Sequence, residues 1–118
     1  MNVLILEDEP LIAMSMEALI EDQGWSVVGP FSKVAGALVE IAGGASIDCA
    51  LLDCNLGGEP SWAVADALAQ RNIPFAFTSG QSSKDIDPRF ADRTTFTKPV
   101  DEAKLKRFLA HLAARSVG

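Results

Sequence analysis

Short apolar runs and longer mixed stretches alternate along the chain. Val3-Leu4-Ile5-Leu6 stops at Glu7-Asp8-Glu9-Pro10, Cys49-Ala50-Leu51-Leu52 stops at Asp53, Phe75-Ala76-Phe77 stops at Thr78-Ser79-Gly80, and Thr94-Thr95-Phe96-Thr97 stops at Lys98-Pro99. A run of this length without polar alternation reads as a parallel strand buried on both faces. The runs predict strands at about 2–6, 47–53, 73–79 and 93–97, with a further short strand at Trp25-Ser26-Val27-Val28-Gly29.

Between the strands, apolar residues recur at helical spacing. The first helix opens at Pro10, where the missing N–H costs nothing, and carries Ile12, Met16, Leu19 and Ile20 on one stripe. It stops near Gln23, before Gly24. The second is capped by Ser32, turns Val34, Leu38 and Ile41 inward, and ends at Gly43-Gly44. Ser61 caps the third, from Trp62 to Arg71, with Val64 and Leu68 inward. The last runs from about Asp101 to Arg115 with Ala103, Phe108, Leu109 and Leu112 inward, and acids in its first turn. Residues 81–92 have room for a turn or two of helix at most. Strand and helix therefore alternate end to end, which predicts an α/β fold: a doubly wound five-stranded parallel sheet with a short or irregular fourth helix. At 118 residues, one domain over 1–118 is expected.

Charge narrows the functions open to such a fold. A net charge of −6 and a pI near 4.6 argue against direct nucleic-acid binding, which needs a basic face, and favour a cation or a protein partner. No apolar run approaches the roughly 20 residues of a membrane span, and the N-terminal run is too short for a signal peptide. A cytoplasmic protein without membrane contact is expected. Strand alternation points Cys49, Leu51 and Asp53 to one face and Cys54 to the other, so two reduced thiols are expected rather than a disulfide or a shared metal. His111 falls on the last helix, far from the strand ends, and reads as structural. Lys104, Lys106, Arg107 and Arg115 read as a solvated face, and Trp25, Trp62, Phe75 and Phe77 as packing.

The carboxyl ends of parallel strands converge on one edge, so Glu7, Asp8, Asp53, Ser79 and Lys98 are expected to meet there. Three clustered carboxylates repel one another, and a hard divalent cation with oxygen ligands, Mg²⁺ or Mn²⁺, would hold them, with Lys98 as a fixed positive charge opposite. Such a group suits phosphoryl transfer with a carboxylate as nucleophile.

Leu-Glu-Asp-Glu-Pro at 6–10, Leu-Leu-Asp-Cys-Asn-Leu at 51–56, Phe-Thr-Ser-Gly at 77–80 and Thr-Lys-Pro at 97–99 resemble, in order, the four motifs of response-regulator receiver domains of two-component signalling. The resemblance covers essentially the whole chain and implies the strand order 2-1-3-4-5. It also implies that Asp53 is the phospho-acceptor, taking its phosphoryl group from a sensor histidine kinase in a phosphorelay. Asp8 would be a direct metal ligand, Glu7 its partner through water, and the backbone carbonyl of Asn55 a further ligand. Lys98 would pair with the phosphoryl group and Asp53, and Ser79 would be the switch hydroxyl. Ser79 is chosen over Thr78 because it precedes Gly80, and alternation places Thr78 on the other side of the strand. The loop after Asp53 and the Pro-Phe-Ala-Phe-Thr-Ser-Gly run look like the single-domain branch named for a Phe-Ala-Thr-Gly-hydrophobic-Tyr motif. Here, Thr78 and Ser79 replace its Ala-Thr, and Gln81 and Ser82 replace its last two residues. Most receivers also carry an aromatic three residues before the lysine, where this chain has Thr95. Phe96 follows it and faces the other side of the strand, which puts the usual hydroxyl-to-aromatic coupling in doubt.

Three rival readings share these residues. An aspartyl-phosphate hydrolase would also use a strand-end Asp, Mg²⁺ and Lys, but needs a second acid two residues on, where Asn55 stands. A pseudo-receiver would be a binding module that forms no acyl phosphate. A flavodoxin-like carrier would need a phosphate-cradling loop after the first strand, which here leads into acids. The receiver reading expects no turnover enzyme, only self-phosphorylation and slow loss of the phosphoryl group, and a separate downstream protein.

Overall fold

The computed structural model describes residues 1–80 and 86–117, with side chains as far as 115. Five parallel strands form the main sheet: β1 (Asn2–Leu6), β2 (Ser26–Phe31), β3 (Cys49–Asp53), β6 (Phe75–Ser79) and β7 (Thr95–Thr97). They lie in the order β2-β1-β3-β6-β7, the expected flavodoxin-like arrangement. Among the described residues four α-helices flank it: α1 (Pro10–Asp22), α2 (Val34–Ala42), α3 (Trp62–Gln70) and α4 (Glu102–Val117). In register, Val3 to Leu6 pair with Cys49 to Leu52, and Ala50 to Asp53 pair with Phe75 to Thr78. The three central strands thus end level with one another.

Alternation divides the core in two. Leu4, Leu6, Ala50, Leu52, Phe75 and Phe77 face α2 and α3, while Val3, Ile5, Cys49, Leu51 and Ala76 face α1 and α4. Both cysteines are buried free thiols, Cys54 in the first cluster and Cys49 in the second. Burial pushes the Cys49 thiol up to about 12.

Several boundaries move for local reasons. Ile73 and Pro74 precede β6 rather than opening it, and β2 runs on from Ser26 through Phe31. Lys33, not Ser32, stands at the N-cap of α2 in an extended conformation, without a side-chain cap. Ser61 does hold the N-cap of α3, but its hydroxyl makes no cap bond and is buried. On α4 Ala103 is exposed and Leu105 takes the inward position with Leu109, because Leu105 stands one turn before Leu109 on the same face and Ala103 does not. The segment after Asp53 folds into a two-stranded hairpin, β4 (Asn55–Leu56) against β5 (Glu59–Pro60), that turns at Gly57-Gly58 with φ of +62° and +102°. In place of a fourth helix, the described residues before β7 form one 3-10 turn, Pro88–Phe90. Gln81 and Ser82 lie outside the described residues. No helix among those described is long and apolar enough to cross a membrane.

Candidate phosphoacceptor site

Each candidate side chain leaves the sheet just where a strand ends, and one ladder bond beyond the strand fixes its direction. The Glu7 amide donates to the Phe31 carbonyl at 2.9 Å, Cys54 after Asp53 donates to Thr78 at 3.0 Å, and Lys98 donates to Ser79 at 2.7 Å. These bonds tie the end of β1 to β2, of β3 to β6 and of β7 to β6, beside an open cleft of about 730 Å³. Asp8, Asp53, Asn55, Trp62, Ser79 and Lys98 are among its lining residues.

Lys98 is the centre of charge. Its Nζ lies 3.0 Å from Asp53 Oδ2 and 2.9 Å from Glu7 Oε1. The first contact is a hydrogen bond. The second is an ion pair with the buried Glu7 Oε1, which has no other partner among the described residues. The other oxygens have backbone partners: Asn55 N–H donates to Asp53 Oδ1 at 3.2 Å, and Glu9 N–H to Glu7 Oε2 at 3.0 Å. Burial pushes the Glu7 carboxyl up to about 7, and Asp53 beside it acts in the same direction. The Glu9 amide and Lys98 oppose the rise. Lys98 itself is held above its usual value by the two carboxylates, against the opposing effect of its own partial burial. One ammonium thus serves two buried acids, and the burial that raises Glu7 is only partly offset by it.

Asp8 completes the acidic group and is the most open of the three. One oxygen from each of Glu7, Asp8 and Asp53 lies within 4.8 Å of the others. An all-oxygen donor set of three carboxylates served by a single ammonium fits a hard divalent cation. The Asn55 carbonyl is suited to join it: Ser61 N–H bonds to Cys54, so Asn55 faces Pro60 at a ladder position whose backbone groups point away from β5. The Asn55 side chain is engaged elsewhere, accepting from Gly58 N–H at 2.7 Å.

The structure brings together Glu7, Asp8, Asp53, Asn55, Ser79 and Lys98. Ser79 lines the cleft and Thr78 does not, although both are buried. Thr95 lies on the other strand face from Phe96, whose ring packs edge-on against Phe108 at 5.7 Å. Two features were not read from sequence as part of the site. The hairpin brings Gly57 close to Asp8, and its signal was the Gly-Gly pair between two short extended segments. Trp62 not only packs but also lines the cleft.

A strand-end aspartate, two further acids and a lysine at the carboxyl edge of a 2-1-3-4-5 sheet define a receiver. The chain belongs to the response regulator receiver domain family, whose model matches residues 3–110. Among solved structures it is similar to SdrG from Sphingomonas melonis Fr1, at 46% identity over 95% of both chains with a TM-score of 0.82. It is also similar to the BeF3-activated conformation of SdrG, given as from Pseudomonas melonis Fr1, at 47% identity over 94% of both chains with a TM-score of 0.78. A response regulator receiver protein from Sinorhizobium medicae WSM419 matches at 25% identity, over 94% of this chain and 92% of that one, with a TM-score of 0.80. No curated protein sequence matches the chain. Membership gives it a phosphoacceptor role in two-component signalling, the family's hallmark being phosphorylation on aspartate.

Proposed function

We propose that residues 1–118 act as one cytoplasmic receiver domain that takes a phosphoryl group from the phosphohistidine of a sensor histidine kinase onto Asp53. An Asp53 carboxylate oxygen forms the new O–P bond as the P–N bond breaks, and the electron pair leaves with the imidazole nitrogen. Lys98 already touches Asp53 Oδ2 and would follow the charge onto the phosphoryl oxygens. Ser79, at the end of β6 in the same cleft, would supply the hydroxyl that moves toward them. Glu7, Asp8, Asp53 and the Asn55 carbonyl would hold Mg²⁺ or Mn²⁺, which when bound offsets the negative charge of acids and phosphoryl group. The observation that carries this reading is the single ammonium shared by two buried carboxylates, with a third acid beside them.

The kinase is supported by exposed Leu11 and Met14 on α1. Leu11 edges an apolar cleft that includes Lys98, so a docked donor would reach Asp53 from that side. The BeF3-activated conformation of SdrG supports a conformational output, directed here at a separate protein. Asn55 favours a switch over a hydrolase, because its amide cannot exchange protons as a carboxyl does.

The test is intact mass after incubation with Mg²⁺ and a small acyl phosphate, beside Asp53→Ala and an EDTA control. One phosphoryl group, gained only with both Asp53 and metal, is expected. No gain with Mg²⁺ binding retained would make the chain a pseudo-receiver.

A further inference from the structure

The cleft is joined to the surface by aromatic rings. Trp62, which lines the cleft, packs edge-on against Phe77 at 5.4 Å and stacks on Phe90 at 6.2 Å with 29° between the planes. Phe90 belongs to the 3-10 turn and also meets Phe75 at 5.8 Å and Phe77 at 5.9 Å. One helical turn after Trp62, Asp66 receives both hydrogen bonds of Arg89 Nη1, at 3.0 and 3.1 Å. Arg89 is further held by Asp87, which also accepts the Arg89 backbone N–H at 2.9 Å. The turn therefore grips α3 at two points, a ring contact that reaches the cleft and an ion pair at the surface. On the neighbouring strand Thr95 carries no ring, and Phe96 packs on the opposite face of the sheet.

We propose that Trp62 is the coupling residue of this receiver: its stacking on Phe90 links the occupancy of the cleft to the position of the Pro88–Phe90 turn. The proposal rests on the phosphoacceptor reading above and adds the route by which the site is read out. A change at Asp53 that displaces the indole is passed to Phe90, because the two rings stack on one another and both pack against Phe77 of β6. By reciprocity, loosening the turn must change the affinity of the cleft for a phosphoryl mimic. Trp62 acts through Phe90 and is a positioning residue, not a catalytic one.

The experiment is a beryllofluoride titration of the full chain at saturating Mg²⁺, followed by the amide resonances of Asp53 and Ser79. It compares the unaltered protein, Phe90→Leu, Trp62→Leu and the double variant. If the stacked rings hold the resting position, Phe90→Leu tightens binding by about threefold or more, a size usual for coupling residues. In the Trp62→Leu background, where no ring is left to stack, the same substitution leaves the midpoint unchanged. An unchanged or weakened midpoint in the single variant, or an equal shift in both backgrounds, overturns the proposal. Should Phe90→Leu fail to fold, Arg89→Ala replaces it with the same expected pattern, since its side chain is 56% exposed. Absence of binding to the unaltered protein, or undiminished binding to Asp53→Ala, overturns the phosphoacceptor reading and this proposal together.

Discussion

Two three-membered ion clusters in this molecule have nearly the same dimensions and opposite surroundings. Lys98 stands 2.9 and 3.0 Å from Glu7 and Asp53, whose side chains are 1% and 6% exposed. Arg89 stands 3.0 and 3.3 Å from Asp66 and Asp87, whose side chains are 42% and 23% exposed. In the first, burial outweighs the lysine and raises Glu7. In the second, hydrogen bonds from Arg89 lower Asp87, and desolvation opposes them only weakly. Distance does not separate them; access to water does. The buried cluster sets one ammonium against two carboxylates, so one acid charge has no cation of its own, which suits a site for a divalent cation and a phosphoryl group. The exposed cluster can open and exchange for water at little cost, which suits a tether that must let go.

The comparison breaks most sharply at Lys98. Lys98→Met leaves two buried carboxylates without a cation, and a loss of about 2 kcal/mol in stability is expected, toward the low end because the lysine head reaches solvent. Urea unfolding measures it, and phosphoryl uptake should fall at least about tenfold. Phe90→Leu removes a ring between α3 and β6 and should cost about 1.5 kcal/mol in the same assay. Arg89→Ala, the exposed counterpart of Lys98→Met, should move the melting temperature by no more than about 2 °C. A large loss there would show that exposure does not distinguish the clusters. Thr95→Ala should alter neither beryllofluoride affinity nor the response of the Pro88–Phe90 amides; a marked effect would make Thr95 itself part of the relay.

Much of this was legible because the informative residues are local. Runs such as Cys49 to Leu52 have no polar alternation, so they declare strands buried on both faces, and topology then carries Glu7, Asp53, Ser79 and Lys98 to one edge. Where signals were short or non-local, reading failed. The β4 and β5 strands are two residues each, too few for periodicity, and only Gly57-Gly58 marked the turn. On α4 the expected stripe of Ala103, Phe108, Leu109 and Leu112 passed over Leu105, which lies one turn before Leu109 and is the residue buried there. The stacking of Trp62 on Phe90 joins positions 28 residues apart, with no pattern between them to announce it.

The central claim is that Asp53 forms the acyl phosphate, and trapping that bond tests it most directly. Borohydride reduction of the phosphorylated chain converts an aspartyl phosphate to homoserine, which peptide mass mapping then locates. Homoserine at position 53 alone, and none when EDTA is present during phosphorylation, is the predicted result. Homoserine at position 8, or a labelled chain with no homoserine at 53, would contradict the account.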